Sequence, residues 1–169
     1  MSFLRSGPKR SLLWLGLFAG ATALAAAVGR SATRAPRRPW YRLLSKPPGQ
    51  PPAWVFAPVW AALYGLMSVS AYRVFRLPPS PERRRALGLW WTQLALNAAW
   101  SPLFFGAHRP RAALADLVGI TASGTAYVRA ARDLDRPAAW MMAPYLGWLG
   151  FAGYLNASIV ARNPRLASR

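Results

Sequence analysis

The stretch Gln93-Leu-Ala-Leu-Asn-Ala-Ala-Trp-Ser-Pro-Leu-Phe-Phe105 places two carboxamides, a tryptophan and a proline in a segment without a single charge. It belongs to a longer apolar run, 86–106, too long for the surface helix of a soluble domain and long enough to cross the ~30 Å hydrocarbon core of a bilayer. Two other stretches repeat the combination, Lys46-Pro-Pro-Gly-Gln-Pro-Pro-Ala-Trp-Val-Phe-Ala-Pro-Val-Trp60 and Pro144-Tyr-Leu-Gly-Trp-Leu-Gly-Phe-Ala-Gly-Tyr-Leu-Asn156. With nine tryptophans in 169 residues, the pattern points to a membrane protein whose helices line an aromatic pocket.

Composition agrees. The chain is 54% hydrophobic and only 15% charged, yet its formal net charge is +18. Most of its 22 basic residues fall between apolar runs, as juxtamembrane residues do. A nucleic-acid binder would spread them over a basic face, so nucleic acid is excluded as a partner. Membrane lipid is the expected one, at about 1 kcal/mol per charge near anionic headgroups. Without cysteine, neither a disulfide framework nor a thiol nucleophile is available.

Five apolar runs, at 11–29, 54–75, 86–106, 112–131 and 138–161, predict an all-α integral membrane protein, a bundle of five transmembrane helices. A basic tail, 1–10, precedes this single domain, 11–161, and a second tail, 162–169, follows it. The first run follows Arg5, Lys9 and Arg10, so a cleaved signal peptide is its rival reading. Its length and its Gly16-x-x-x-Gly20 spacing, suited to close packing in lipid, favour a retained helix. The fourth run is diluted by Thr121, Ser123 and Thr125. The connection 30–53 carries six basic residues and six prolines, and is read as an ordered lid. The other connections are short, which favours an up-and-down bundle. Basic residues divide eleven to eleven between the two sides, so the positive-inside rule leaves sidedness open. Gly16 and Gly20, with the Gly147, Gly150, Gly153 series, predict a homodimer.

Antiparallel succession fixes depth. At 1.5 Å per residue, Trp60 and Trp100 lie roughly 9 Å, and Asn97 roughly 14 Å, inside the side of the first connection. In the last run Asn156, Ala152 and Trp148 lie roughly 8, 14 and 20 Å from that side, on one stripe with Tyr145. Tryptophans and carboxamides thus converge beneath the lid. Trp60, Trp100 and Trp148 are too deep for an interfacial belt and are read as pocket lining, whereas Trp40, Trp54 and Trp140 suit that belt. Asn97 and Asn156, with Gln93 one turn from Asn97, either contact a ligand or hydrogen-bond between helices. Pro58, Pro102 and Pro144 are expected to free carbonyls and bend their helices. Asp116 is read as capping or pairing in the first turn of the fourth span, and His108 as solvated in an exposed connection. No metal-ligand cluster, nucleophile with base, or phosphate-cradling loop occurs, so no catalytic or metal residues are assigned.

The chain resembles the tryptophan-rich sensory protein family, also called TspO/MBR, the peripheral benzodiazepine receptor type. The resemblance runs through Trp40-Tyr41, Lys46-Pro47, Pro51-Pro52-x-Trp54-Val55-Phe56, Pro58-x-Trp60-x-x-Leu63-Tyr64, Leu96-Asn97-x-x-Trp100-x-Pro102-x-Phe104-Phe105, Ala113-Leu114-x-Asp116, Pro144-Tyr145-Leu146-x-Trp148 and Leu155-Asn156. It implies a five-helix bundle, often dimeric, that binds porphyrins, isoquinoline-type ligands and in some members sterols. It also implies a cavity bordered by Trp60, Asn97, Trp100, Trp148, Ala152 and Leu155, to which the motif positions Tyr64, Phe104 and Tyr145 are added. The lid would use Trp40, Lys46, Pro47, Pro51 and Pro52. Gly49 replaces the aromatic residue the family places just before the Pro-Pro pair. Ala112 stands in for the tryptophan often found at the start of the fourth span.

The expected function is that of a multi-pass protein, in the bacterial cell membrane, that binds a protoporphyrin-type tetrapyrrole in transport, sensing or stress-linked regulation, without a required cofactor. Light-dependent porphyrin degradation and a purely structural role are the alternatives.

Overall fold

The computed structural model describes residues 8–33 and 38–164. Residues 1–7 and 165–169, most of both basic tails, lie outside the described residues, as does 34–37 of the expected lid.

Five helices of 20 residues or more and two short ones account for nearly all of the rest: α1 (Pro8–Thr33), α2 (Arg38–Leu43), α3 (Ala53–Phe75), α4 (Pro81–Ser101), α5 (Pro110–Leu134), α6 (Arg136–Met141) and α7 (Ala143–Arg162). Two segments, Ser11–Thr33 and Ala53–Phe75, are long and apolar enough to cross a membrane by length and composition. Arginines occupy the start of α4 and both ends of α5, and in α7 glycine, tyrosine, tryptophan and asparagine replace the aliphatic residues that a simple hydropathy test rewards.

Proline and polar caps set the boundaries. Ser80 caps α4, its hydroxyl accepting from the Arg83 N–H at 3.1 Å, with Pro81 in the first turn. Asp135 caps α6 by accepting from the Ala138 N–H at 2.9 Å. Caps of this kind satisfy N–H groups that have no partner within the helix.

The fifth apolar run, expected as one helix, is two. Met142 separates α6 from α7, and Pro144 sits in the first turn of α7. There proline has no helical hydrogen bond to lose, so Pro144 starts a helix instead of bending one. The third run is also interrupted. Pro102 cannot donate to the preceding turn, and residues Pro102–Gly106 form a π-helical turn closed by the Ala107 N–H on the Pro102 carbonyl at 2.8 Å.

Contacts between helices order them around the bundle as α1, α3, α7, α5, α4, so α3 has α1, not only its chain neighbour α4, beside it. Polar groups join these helices inside. Thr22 and Ser68 hydroxyls lie 2.9 Å apart between α1 and α3, and the fully buried Trp90 indole donates to the Met67 carbonyl at 3.1 Å. At the α3 C-terminus Arg73 holds Asp135 through Nε and Nη2, both at 3.1 Å. Ser70 hydrogen-bonds Tyr127 at 2.8 Å and the Ala138 carbonyl at 2.7 Å.

Candidate functional site

In the interior of the bundle, α3, α4 and α7 are joined by a hydrogen-bonded chain. The Tyr64 hydroxyl donates to Asn97 Oδ1 at 2.7 Å, Asn97 Nδ2 donates to the Tyr145 hydroxyl at 3.1 Å, and that hydroxyl donates to Gln93 Oε1 at 2.8 Å. Gln93 and Asn97 are one turn apart, which puts both amides on one face of α4. Every donor points the same way along this relay, and it ends on Gln93 Nε2, which is buried and has no acceptor. An unpaired buried donor costs about 1–3 kcal/mol.

Indole and phenol rings flank the relay. Trp60 lies 5.2 Å from Tyr64 and 6.4 Å from Tyr145, centroid to centroid. Farther toward the loop, Trp148 meets Phe56 edge-on at 5.8 Å. Between α3 and α7 the ring of helices is closed largely by these aromatic contacts. Trp60, Tyr64 and Trp148 are half-buried, whereas Tyr145 is fully enclosed.

The residues expected at the site therefore divide. Trp60, Tyr64, Asn97 and Tyr145 come together, and Trp100, Trp148 and Ala152 pack on the same core. Leu155 is half-buried. Trp100 bridges to a second cluster, stacking on the buried Phe104 at 5.1 Å beside Leu44, Ala113 and Ile159. Asn156 is not free to meet a ligand: with its amide oriented to satisfy both ends, it donates to the Pro110 carbonyl and accepts from the Leu114 N–H, each at 3.1 Å. It ties α7 to the first turn of α5.

The loop is fastened rather than open. Asn163 Oδ1 accepts from the Ser45 N–H at 2.9 Å, and its Nδ2 donates to the Ser45 carbonyl at 3.0 Å and to the Ile159 carbonyl at 2.8 Å. Tyr154 donates to the Pro48 carbonyl at 3.3 Å. Gln50 donates to the Tyr41 hydroxyl at 2.8 Å, and Lys46 Nζ lies 4.9 Å above the Tyr41 ring. Burial pushes the Tyr41 hydroxyl pKa up from its usual 10.0, and the Gln50 bond pulls it back in part. Pro47 is buried, Pro51 half-buried and Pro52 exposed.

Trp40 departs from the interfacial reading, since its ring stacks on His108 at 4.5 Å and meets Phe104 edge-on at 5.8 Å. His108 is correspondingly not solvated: it is half-buried, at φ 57°, with Nε2 buried and unpartnered. Trp54 and Trp140 are 74% and 76% exposed, as belt residues would be. Asp116 does not cap: α5 starts at Pro110, which puts Asp116 in the second turn with a buried, unpartnered Oδ2.

Gln93, expected to share a face with Asn97, takes its place in the relay through Tyr145; the part of Tyr145 as the link between the two amides had no signal in the sequence. Sequence reasoning missed Asn163, which lies just past the last apolar run and carries no motif. Among the described residues, no group of three metal-binding side chains occurs.

The sequence profile described as the TspO/MBR family matches residues 17–162. The chain is 42% identical over 131 residues to the translocator protein of Bos taurus, covering 76% of this chain and 78% of that one. It is 39% identical over 144 residues to a tryptophan-rich sensory protein of Cereibacter sphaeroides, covering 84% and 89%. Against the tryptophan-rich protein TspO of Chlorobaculum tepidum it is 33% identical over 156 residues, covering 92% and 99%.

Proposed function

Because the chain belongs to the TspO/MBR family of membrane proteins, we propose that its five long helices all cross a bilayer, the bacterial cell membrane, and that they bind a large flat tetrapyrrole of the protoporphyrin type between α3, α4 and α7. The observation that carries this reading is the relay from Tyr64 through Asn97 and Tyr145 to Gln93, which ends on a buried donor and has the Trp60 ring against both of its tyrosines. A flat apolar ligand would lie on the indole and phenol faces, which contribute about 0.5–1.5 kcal/mol per aromatic pair beyond burial. A carbonyl or carboxylate on its rim would accept from Gln93 Nε2. Such a protein carries, stores or senses its ligand without needing a nucleophile or a metal.

The helices that meet the hydropathy test are α1 and α3. Crossing by α4, α5 and α7 rests on their lengths of 21, 25 and 20 residues and on packing against those two. Association as a homodimer belongs to the same proposal. Gly16 and Gly20 are exposed on α1 with open space where a side chain would stand, whereas a Cβ at Gly153 would meet Leu117 at 3.8 Å.

Titration of the purified protein with protoporphyrin, followed by tryptophan quenching, tests the reading. Saturable quenching that Trp60→Ala weakens is expected; absence of saturable binding by the folded parent overturns it. Product analysis under illumination distinguishes storage from breakdown, and an unchanged porphyrin spectrum is expected.

A further inference from the structure

On the outer face of α5 and α7, away from the relay, runs a groove of about 500 Å³ whose lining includes Leu117, Val118, Ala122, Leu149, Gly150 and, at one end, Arg129. Gly150 keeps it open, since a side chain there would meet nothing within 4 Å. Arg129 also lines a second, polar hollow of about 500 Å³ with Arg132, Asp133 and Arg136. Along α5 the positions 118, 122, 125, 129 and 132 follow each other at three and four residues, so they form one continuous stripe, and Arg136 at the start of α6 meets its end in the polar hollow. The stripe passes from aliphatic through small and hydroxyl-bearing to basic. From Leu117 to Arg129 it covers about 18 Å, close to the ~15 Å depth of one leaflet.

We infer that this face is a binding site for an anionic phospholipid, with an acyl chain lying in the α5–α7 groove and the headgroup phosphate held by Arg129, Arg132 and Arg136. Three guanidiniums face one carboxylate there, so the hollow keeps a positive excess even with Asp133 present. Arginine presents donors in a fork that suits phosphate oxygens. A second copy fits less well: a two-fold axis along the membrane normal would bring both arginine clusters to the same depth, like charge against like. The groove also suits a chain better than a helix, whose diameter with side chains is about 10–12 Å.

The test uses the full chain, delipidated in mild detergent, with dioleoylphosphatidylglycerol and dioleoylphosphatidylcholine as probes and native mass spectrometry as the readout. The parent should retain the anionic lipid about tenfold better, given the gain per basic residue near a headgroup. Arg129→Gln with Arg132→Gln should bring the two lipids to parity, and Gly150→Phe should lower retention of both by filling the groove. An unchanged melting temperature in each variant certifies the fold. Equal retention of both lipids by the parent overturns the inference, as does an arginine variant that keeps its preference. Displacement by equimolar inorganic phosphate would assign the arginines to a free anion, and disulfide linkage of two Gly150→Cys chains would assign the groove to a second copy; either result also overturns it.

Discussion

Ser45 and Asn163, 118 residues apart in sequence, clasp each other through two hydrogen bonds, from the Ser45 N–H to Asn163 Oδ1 at 2.9 Å and from Asn163 Nδ2 to the Ser45 carbonyl at 3.0 Å. The end of α7 thus holds the start of the 44–52 loop by its backbone, whatever side chains that loop carries. Asn163→Ala leaves both Ser45 groups without their partner. Each net hydrogen bond is worth about 0.5–1.5 kcal/mol, so hydrogen exchange at the Ser45 amide should accelerate about tenfold or more. Exchange as slow as in the parent would show that other contacts fasten the loop.

For the proposed pocket, Trp60→Ala should weaken protoporphyrin binding by about tenfold, since 1.4 kcal/mol is a factor of ten and a lost indole face exceeds that with its buried area. Trp148→Ala should have a smaller effect, because the Trp148 ring meets Phe56 and Phe151 and not the relay tyrosines. Trp140, 76% exposed at the other end of the bundle, should tolerate alanine with affinity unchanged. Fluorescence titration of the three variants ranks them, and equal affinities would place the ligand elsewhere.

Asn97→Leu separates architecture from ligand contact. It removes the acceptor of Tyr64 and the donor to Tyr145, at about 1–3 kcal/mol for each buried group left unpaired. Thermal unfolding without ligand should therefore shift downward. Tyr64→Phe, which strips only one end of the relay, should shift it less.

Asp135 has two tasks, pairing with Arg73 and capping α6. Arg73→Ala removes the pair alone, and because the Arg73 side chain is 40% exposed the loss should be below about 1 kcal/mol. Asp135→Ala also removes the cap, worth about 0.5–2 kcal/mol, and should unfold at the lower temperature of the two. Asp135→Asn should recover most of the cap and little of the pair.

Leucine at both Gly16 and Gly20 blocks close approach on the exposed face of α1. The mass of the particle in mild detergent should fall from dimer to monomer; a parent that is monomeric across concentrations would remove the dimer from the proposal.

Length and hydropathy made the long helices legible, and helix spacing made the relay partly so: Gln93 and Asn97 fall one turn apart, and Tyr64 is one turn beyond Trp60. Depth alone did not tell how the tryptophans differ. Trp60 and Trp100 pack on the same core, yet Trp100 also stacks on Phe104 four residues on and so reaches the second cluster under the loop. Asn156 lies on the same face as Trp148 when α7 is drawn by itself; only the position of α5, beginning two residues before its apolar run, claims its amide. His108 was unreadable for a related reason. A left-handed backbone angle turns its ring onto Trp40 from across the chain, and no local pattern encodes that.

The π-helical turn at Pro102–Gly106 contains one residue more than an α-helical turn needs. That turn is the last of its helix, immediately before the 107–109 connection, so the extra residue widens the helix end instead of lengthening the connection. The wider turn carries Phe104 against Trp100 and Phe105 against Tyr41. Removing Leu103 should let it close as an ordinary α-helical turn, and the narrower end would draw the two rings inward. A one-residue deletion here should therefore loosen the ring contacts under the loop while leaving every connection at its present length.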